Sequence, residues 1–533
     1  MKSLMKKVFA AAAAIATVFG LAATTVATAN AADNATLTVS TTDAKFAGKT
    51  VNAYKMFSAT VSGDGGSKAV SYTLTDAWKP FFKNSTASGL TGATDENVND
   101  KANDYVSKLK GEDLVAFATK ASNWAQTKTN GIMAGATAMV SADATNGSYT
   151  ATFTDLDYGY YVVAVPGATL ANASGQYATL VSVDSTNVNT NIKGDLPTVD
   201  KKVQVGGTGK DATDAKIGDT LTFTLTSTIP DMSAYDTYTF NFKDTLSQGL
   251  TFGQVTSVTV DGVTDPLTVN TDYTVTTPTT SDNTLTVSMK DFKKQQANAG
   301  KKITVTYTAT LNKDAVVGGH GNTNSATIQY SNNPSSGGTG ESEPSKVRVF
   351  TYGFTVDKYT GDKYDDDATR LAGAEFTLAP KNGTAMSFVQ VDAGSATANA
   401  VYRVAKAGET DTTTTITTPA NGKVVFQGLE NGEYTLTETK APAGYNKLAS
   451  AIGVKVDGKN DGTDTTDATV AITYNNDNGN SYNQTASNGV IPVQNKSGAI
   501  LPGTGGMGTI AFTVIGVLVI ALGVAWTLKR KNA

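Results

Sequence analysis

Apolar residues alternate with Thr and Ser in short runs, and Gly and Asn turn signals recur between those runs at even spacing. Together these features predict a mainly β chain of tandem Ig-like sandwiches. Leu221, Phe223 and Leu225 are separated by Thr, as are Ile303, Val305, Tyr307 and Ala309. A period of two suits a sheet with one face on a core and the other in water. The 533 residues are enough for about three domains at roughly 150 residues each. With 51 Gly against 13 Pro, neither a collagen-like nor a Pro-rich disordered chain fits.

The elements follow in order. Met1-Lys-Ser-Leu-Met-Lys-Lys7, the apolar run Val8 to Val26 and Ala29-Asn30-Ala31 make residues 1–31 a secretory signal peptide cleaved after Ala31. Residues 32–196 form a first domain with strands near 148–153 and 160–165. Its stretch Val98 to Lys128 carries a helical stripe through Tyr105, Leu109, Leu114, Val115, Phe117 and Ala118, predicting a helical insertion. Residues 197–346 form a middle Ig-like domain, and Gly337 to Ser345 reads as a linker. Residues 347–500 form a third domain with turns at Ala420-Asn421-Gly422 and Glu430-Asn431-Gly432. Leu156-Asp-Tyr-Gly-Tyr-Tyr161 in the first domain is echoed by Leu429-Glu-Asn-Gly-Glu-Tyr434 in the third. Residues 501–505 read Leu-Pro-Gly-Thr-Gly, and 509–533 comprise an uncharged apolar run, Ile510 to Leu528, with the tail Lys529-Arg530-Lys531. That run is long enough for a transmembrane helix with a cytoplasmic basic end.

Composition removes many functions. The chain has no Cys, so disulfides, thiol nucleophiles and Cys-ligated metals are excluded. It has one His, His320, in the turn Gly318-Gly-His-Gly-Asn322, where a surface role is expected. Gly503 to Gly508 matches G-x-G-x-x-G but follows no strand and opens no βαβ unit, so no dinucleotide site is assigned. Asp365-Asp366-Asp367 reads as a solvated acidic turn, with calcium binding left open. No metal and no cofactor are assigned. Without the two end segments, 37 basic residues face 47 acidic ones, a net charge of −10 that argues against nucleic acid as a partner.

The alternation also places polar groups on the buried face. In the middle domain Lys201 shares parity with Val199, Val203 and Val205, Asp244 with Tyr238, Phe240 and Phe242, and Asn324 with Ala326, Ile328 and Tyr330. In the third domain Phe354 and Val356 lead into Lys358, Tyr434 and Leu436 into Glu438, and Ile491 and Val493 into Asn495. Each domain thus sends an amine, a carboxyl and a carboxamide inward in the same order. Burying a lone charge costs several kcal/mol unless it is paired or neutralised. An apolar setting lowers an amine's pKa and raises a carboxyl's. A neutral Lys can then attack the Asn amide while the acid moves protons and ammonia leaves. That is a single-turnover self-reaction driven by positioning, not turnover catalysis.

The ends and these strands carry a resemblance. Leu501-Pro502-Gly503-Thr504-Gly505, the apolar segment and the basic tail resemble the cell-wall sorting signal of Gram-positive surface proteins, cut by a sortase between Thr504 and Gly505. Asp244-Thr-Leu-Ser-Gln-Gly-Leu-Thr-Phe252 resembles the Asp motif of shaft pilins, and Leu436-Thr-Glu-Thr-Lys-Ala-Pro-Ala-Gly-Tyr445 their C-terminal E-box. The chain is similar to the major backbone subunits of sortase-assembled pili (fimbriae) over nearly its whole length. The resemblance implies tandem Cna-type sandwiches, the last Cna-B-like, and isopeptide bonds Lys201–Asn324 and Lys358–Asn495, with Asp244 and Glu438 as catalytic acids. It also implies a secreted, peptidoglycan-anchored pilus protein that supports adhesion. Its partners would be sortase, further copies of itself, minor or tip pilins, peptidoglycan and host or matrix ligands. The alternative function is a monomeric wall-anchored adhesin. Whether the first domain forms a third bond, with Lys55 as its amine, stays open. In resembling pilins the lysine that joins subunits ends the N-terminal domain in a Tyr-Pro-Lys-Asn setting. The matching place here reads Asn191-Ile-Lys-Gly-Asp-Leu-Pro197, so Lys193 is the first choice on an expected exposed segment, with Lys202 second.

Overall fold

The structure is a computed structural model that describes residues 34–498, apart from 64–67, 143–146, 170–177, 206, 336, 365, 461, 464–465 and 476–481, together with 516–522 and 526. The expected signal peptide, the motif Leu501–Gly505 and most of 509–533 lie outside the described residues. Residues 516–522 are helical, and among the described residues no helix is long and apolar enough to cross a membrane. The chain divides into two compact units, residues 1–351 with 459–469, and residues 352–458 with 470–533.

The first unit holds two sandwiches. In the N-terminal one, a sheet ordered Ser141–Ala142, Tyr149–Leu156, Ala35–Thr41, Asn187–Asn191 shares a core with a second sheet. That second sheet is ordered Ala69–Leu74, Thr50–Ser62, Gly159–Ala164, Ala178–Val183. The run Tyr160 to Val165 is buried at every position because this sheet is covered on both faces. Tyr161, Val163 and Val165 face the sandwich core, while Tyr160, Val162 and Ala164 pack with the helical insertion against Phe81, Phe82, Phe117 and Ala121. The single helix expected over 98–128 is two, Val98–Lys108 and Gly111–Gln126. Leu109 turns extended and Gly111 takes φ +54°, a left-handed value that suits glycine, so the periodic stripe bends there.

In the middle sandwich, one sheet runs Thr208–Lys210, Asp200–Val205, Thr220–Thr228, Lys302–Leu311, Leu250–Val260. The facing sheet contains Tyr273–Thr276, Thr284–Met289, Phe240–Leu246 and Gly318–Ser331. Leu221, Phe223 and Leu225 are buried while the intervening Thr side chains line the outer face, where Thr226 pairs with Thr304 at 3.1 Å. The segment expected as a linker over 337–345 is structured. Thr339–Glu341 pairs antiparallel with 329–331, and the next strand, Ser345–Tyr359, begins at once. Residues 459–469, expected in the third domain, belong to the first unit, where the Ala468 N–H donates to the Gly319 carbonyl at 2.9 Å.

The second unit is a sandwich of its own. Residues 352–359 pair antiparallel with Lys423–Leu429 and parallel with Val490–Gln494. The other sheet is ordered Ile416–Thr417, Glu375–Pro380, Gly432–Lys440, Ile452–Lys459, Thr469–Asn475, Gln484–Thr485. The echoed six-residue segments occupy the same place in each sandwich, the corner between two strands. Tyr161 donates to the carbonyl of Asp157 at 2.7 Å and Tyr434 to that of Glu430 at 2.8 Å, each reaching back four residues. A tyrosine tied to the backbone just upstream fixes such a corner.

Candidate intramolecular cross-link sites

Every residue expected on the inward face in the two triads is buried: Lys201, Asp244 and Asn324 are 0% exposed, Lys358 0%, Glu438 2% and Asn495 1%. The middle site spans both sheets. Lys201 comes from the first strand, opposite Leu225, while Asp244 and Asn324 come from adjacent strands of the facing sheet. Lys201 Nζ donates to Asp244 Oδ2 at 2.5 Å and to the Tyr307 hydroxyl at 2.9 Å. Tyr307 donates to the same carboxylate oxygen at 2.6 Å and accepts from Asn324 Nδ2 at 2.6 Å. The amine lies 5.1 Å from the Phe223 ring centre and 5.2 Å from that of Tyr307. Burial lowers the Lys201 pKa and outweighs the opposing pull of Asp244.

The C-terminal site is built differently. Lys358 lies on one strand, opposite Val493 of its parallel neighbour Val490–Gln494, Asn495 directly follows that neighbour, and Glu438 comes from the other sheet. Lys358 Nζ donates to the Val493 carbonyl at 3.1 Å and lies 3.5 Å from Glu438 Oε1. Asn495 Nδ2 donates to Glu438 Oε2 at 3.1 Å and to the Asn446 carbonyl at 3.0 Å. The Leu448 N–H also donates to Glu438 Oε2, at 2.7 Å. The E-box residues account for this. Tyr445 N–H closes a turn on Pro442, Gly444 takes φ +87°, and Asn446 N–H binds the Lys496 carbonyl, returning 446 and 448 to the carboxylate. Burial pushes the Lys358 pKa down to about 8 despite Glu438.

That value sets a pH dependence. In Asn495→Ala, which has no amide to attack, the unfolded lysine titrates near 10.5 and the folded one near 8. Between those values the unfolded chain binds more protons, so stability rises with pH across about 8 to 10.5. Urea unfolding at pH 7.5 and 10 should show that rise, and it should vanish in Asn495→Ala with Lys358→Met.

One oxygen of each functional group has no hydrogen-bond partner among the described residues: Asp244 Oδ1, Asn324 Oδ1, Glu438 Oε1 and Asn495 Oδ1. An orphaned buried acceptor costs about 1–3 kcal/mol. As static structural pairs these sites are poorly completed. Sequence reasoning missed Tyr307, although it shares the inward parity of Ile303 and Val305 and carries a hydroxyl on an apolar face. It also missed Asn446 and Leu448, which act through backbone groups that no residue type announces.

The remaining candidates lie elsewhere. Lys55 pairs at the surface with Asp157 at 2.7 Å, and the described residues of the N-terminal sandwich bury no lysine. His320 is exposed and pairs with Asp467. Among the described residues no group of acids or His is placed to hold a metal. Lys193 is half-buried rather than freely exposed. Its backbone is held between Ile192, whose N–H binds the Ser40 carbonyl, and Asp195, which pairs with Thr169. Lys202 binds Asp211 at 2.6 Å and Asp200 at 3.2 Å, and the Asp211 contact raises its pKa.

Comparison with known proteins agrees with this architecture. Residues 217–334 match the Gram-positive pilin backbone subunit 2, Cna-B-like domain, and residues 357–471 match the SpaA prealbumin-like fold domain. The "Cna-B-like" description thus falls on the middle domain. The trypsin-resistant surface T6 protein of Streptococcus pyogenes serotype M6 is 26% identical over 273 residues, covering 48% of this chain and 44% of that protein. The chain therefore matches less than half the length of that curated relative. Among solved structures, the T6 backbone pilin of the same serotype covers 87% of this chain and 99% of its own, at 17% identity and TM-score 0.46. The full-length major pilin SpaD from Corynebacterium diphtheriae covers 87% and 98%, at 20% identity and TM-score 0.43. The middle domain thus matches a Gram-positive pilin backbone domain and the C-terminal domain a SpaA prealbumin-like domain.

Proposed function

We propose that this chain is the structural subunit of a covalently polymerised cell-surface pilus. Each subunit is joined by sortase through Thr504 to a lysine of the next and stiffened internally by Lys201–Asn324 and Lys358–Asn495 isopeptide bonds. The observation that carries this reading is the repeated burial of an amine, an acid and a carboxamide in two successive sandwiches, linked through Tyr307 in the middle one and through Glu438 in the C-terminal one. A shaft under tension must keep its strands from peeling apart, and a chain without Cys has no disulfide for that purpose.

The chemistry follows from the contacts. In each site the acid lies beside the amine, and burial favours the neutral amine. The lysine nitrogen attacks the Asn carbonyl carbon, the C–Nδ2 bond breaks, and ammonia departs. Each site acts once, so the protein is not an enzyme in the turnover sense. The processed chain, 32–504, is secreted, polymerised, and finally attached to peptidoglycan; minor or tip pilins and host or matrix ligands are its further partners.

Immunoblots of cell-wall extracts boiled in SDS should give a ladder of high-mass species. A single band at monomer mass would replace the shaft with a monomeric wall-anchored adhesin.

A further inference from the structure

The two sites solve the same proton-transfer problem with acids of different reach. In the C-terminal site Glu438 touches the departing nitrogen directly, through Oε2 at 3.1 Å from Asn495 Nδ2. In the middle site the acid is Asp244, one methylene shorter. Its Oδ2 contacts Lys201 and Tyr307, and its Oδ1 has no partner among the described residues. What touches the departing nitrogen of Asn324 is the Tyr307 hydroxyl, at 2.6 Å. One phenol oxygen therefore contacts all three reacting groups, the amine at 2.9 Å, the carboxylate at 2.6 Å and the amide nitrogen at 2.6 Å.

We propose that Tyr307 is a catalytic residue of the middle domain, relaying a proton from Asp244 to the leaving nitrogen of Asn324. This rests on the isopeptide reading above. Lys201 first gives a proton to Asp244, and its freed lone pair bonds to Cγ of Asn324 while the carbonyl electrons move onto Oδ1. The Asp244 acid then donates to the Tyr307 oxygen as Tyr307 donates its own proton to Nδ2. The carbonyl re-forms, the C–Nδ2 bond breaks, and ammonia leaves with the bonding pair. The surplus proton on the new amide nitrogen returns to Asp244, so the five protons that began on the amine and amide end as one on the isopeptide, one on Asp244 and three on ammonia.

The surroundings suit a relay. Tyr307 is fully buried and stacked on Phe223, its cross-strand neighbour, with ring centres 5.2 Å apart and planes within 13°. Burial and the Asp244 charge also hold its pKa well above the ordinary tyrosine value, so the hydroxyl stays protonated and can hand on a proton while receiving another.

The test follows formation of the Lys201–Asn324 cross-link by peptide mass spectrometry of the processed chain, with the Lys358–Asn495 cross-link as an internal control. Tyr307→Phe keeps the ring and its packing. It should slow the middle cross-link by about a hundredfold or more, the usual range for a lost acid–base group, and leave the C-terminal one complete. Adding Asp244→Glu to Tyr307→Phe lengthens the acid to the reach of Glu438 and should restore the middle cross-link. Formation at the wild-type rate in Tyr307→Phe overturns the relay, as does a double variant no faster than Tyr307→Phe. A wild-type chain without the Lys201–Asn324 cross-link instead overturns the isopeptide reading, and the relay with it.

Discussion

Intact-mass measurement of residues 32–504 is expected to fall short of the sequence mass by two ammonias, one for each cross-link. Lys358→Ala or Glu438→Ala should recover one of them and Lys201→Ala or Asp244→Ala the other, because the sites share no residue. The stability effect should be large. Each bond closes a loop of well over a hundred residues, and by the chain-entropy account of disulfides such a closure stabilises by about 4–5 kcal/mol. For a domain of this size that corresponds to roughly 10–20 °C in Tm. The loss should be confined to the altered domain. The middle bond joins two facing sheets and the C-terminal bond two neighbouring strands, so neither supports the other's sandwich. The variants also leave buried partners uncompensated. Comparing Lys358→Ala with the isosteric Lys358→Met separates the lost bond from the lost packing. A wild-type mass equal to the sequence mass would sink the whole assignment.

Much of this arrangement is legible in the sequence because a strand's period of two is rigid. Once Val199 and Val203 face inward, Lys201 must as well, and the same logic holds for Glu438 after Tyr434 and Leu436. Parity says which face a residue occupies, but not which strands lie side by side. The sequence therefore could not distinguish a bond between sheets in the middle domain from one between parallel neighbours in the C-terminal domain. The break between the helices at Leu109–Gly111 escaped a periodicity argument because the apolar stripe runs on through it. The short strand Thr339–Glu341 was hidden by its Gly-rich composition, which reads as linker until a neighbour supplies its hydrogen bonds.

Replacing the lysine that joins subunits should have the largest effect in the cell, converting a polymer into wall-anchored monomer. We assign that role to Lys193. A sortase-held Thr504 acyl group needs an amine that is neutral when it attacks and fixed where it can be reached. Lys202 fails the first condition, because Asp211 and Asp200 grip its ammonium and the Asp211 contact raises its pKa. Lys193 takes no carboxylate partner among the described residues. It follows the strand Asn187–Asn191, which is anchored parallel to the first strand, and precedes Gly194, whose φ of +88° turns the chain toward the Asp195–Thr169 bridge. The backbone on either side is thus held, and the residue is half-buried at a small cavity that Val39, Val51 and Val165 also line. Lys193→Ala should abolish the SDS-resistant ladder and leave monomer on the wall, with both internal cross-links still formed. Lys193→Arg, which keeps the charge but has no amine nucleophile, should do the same. A ladder that survives Lys193→Ala and disappears with Lys202→Ala would move the junction to Lys202.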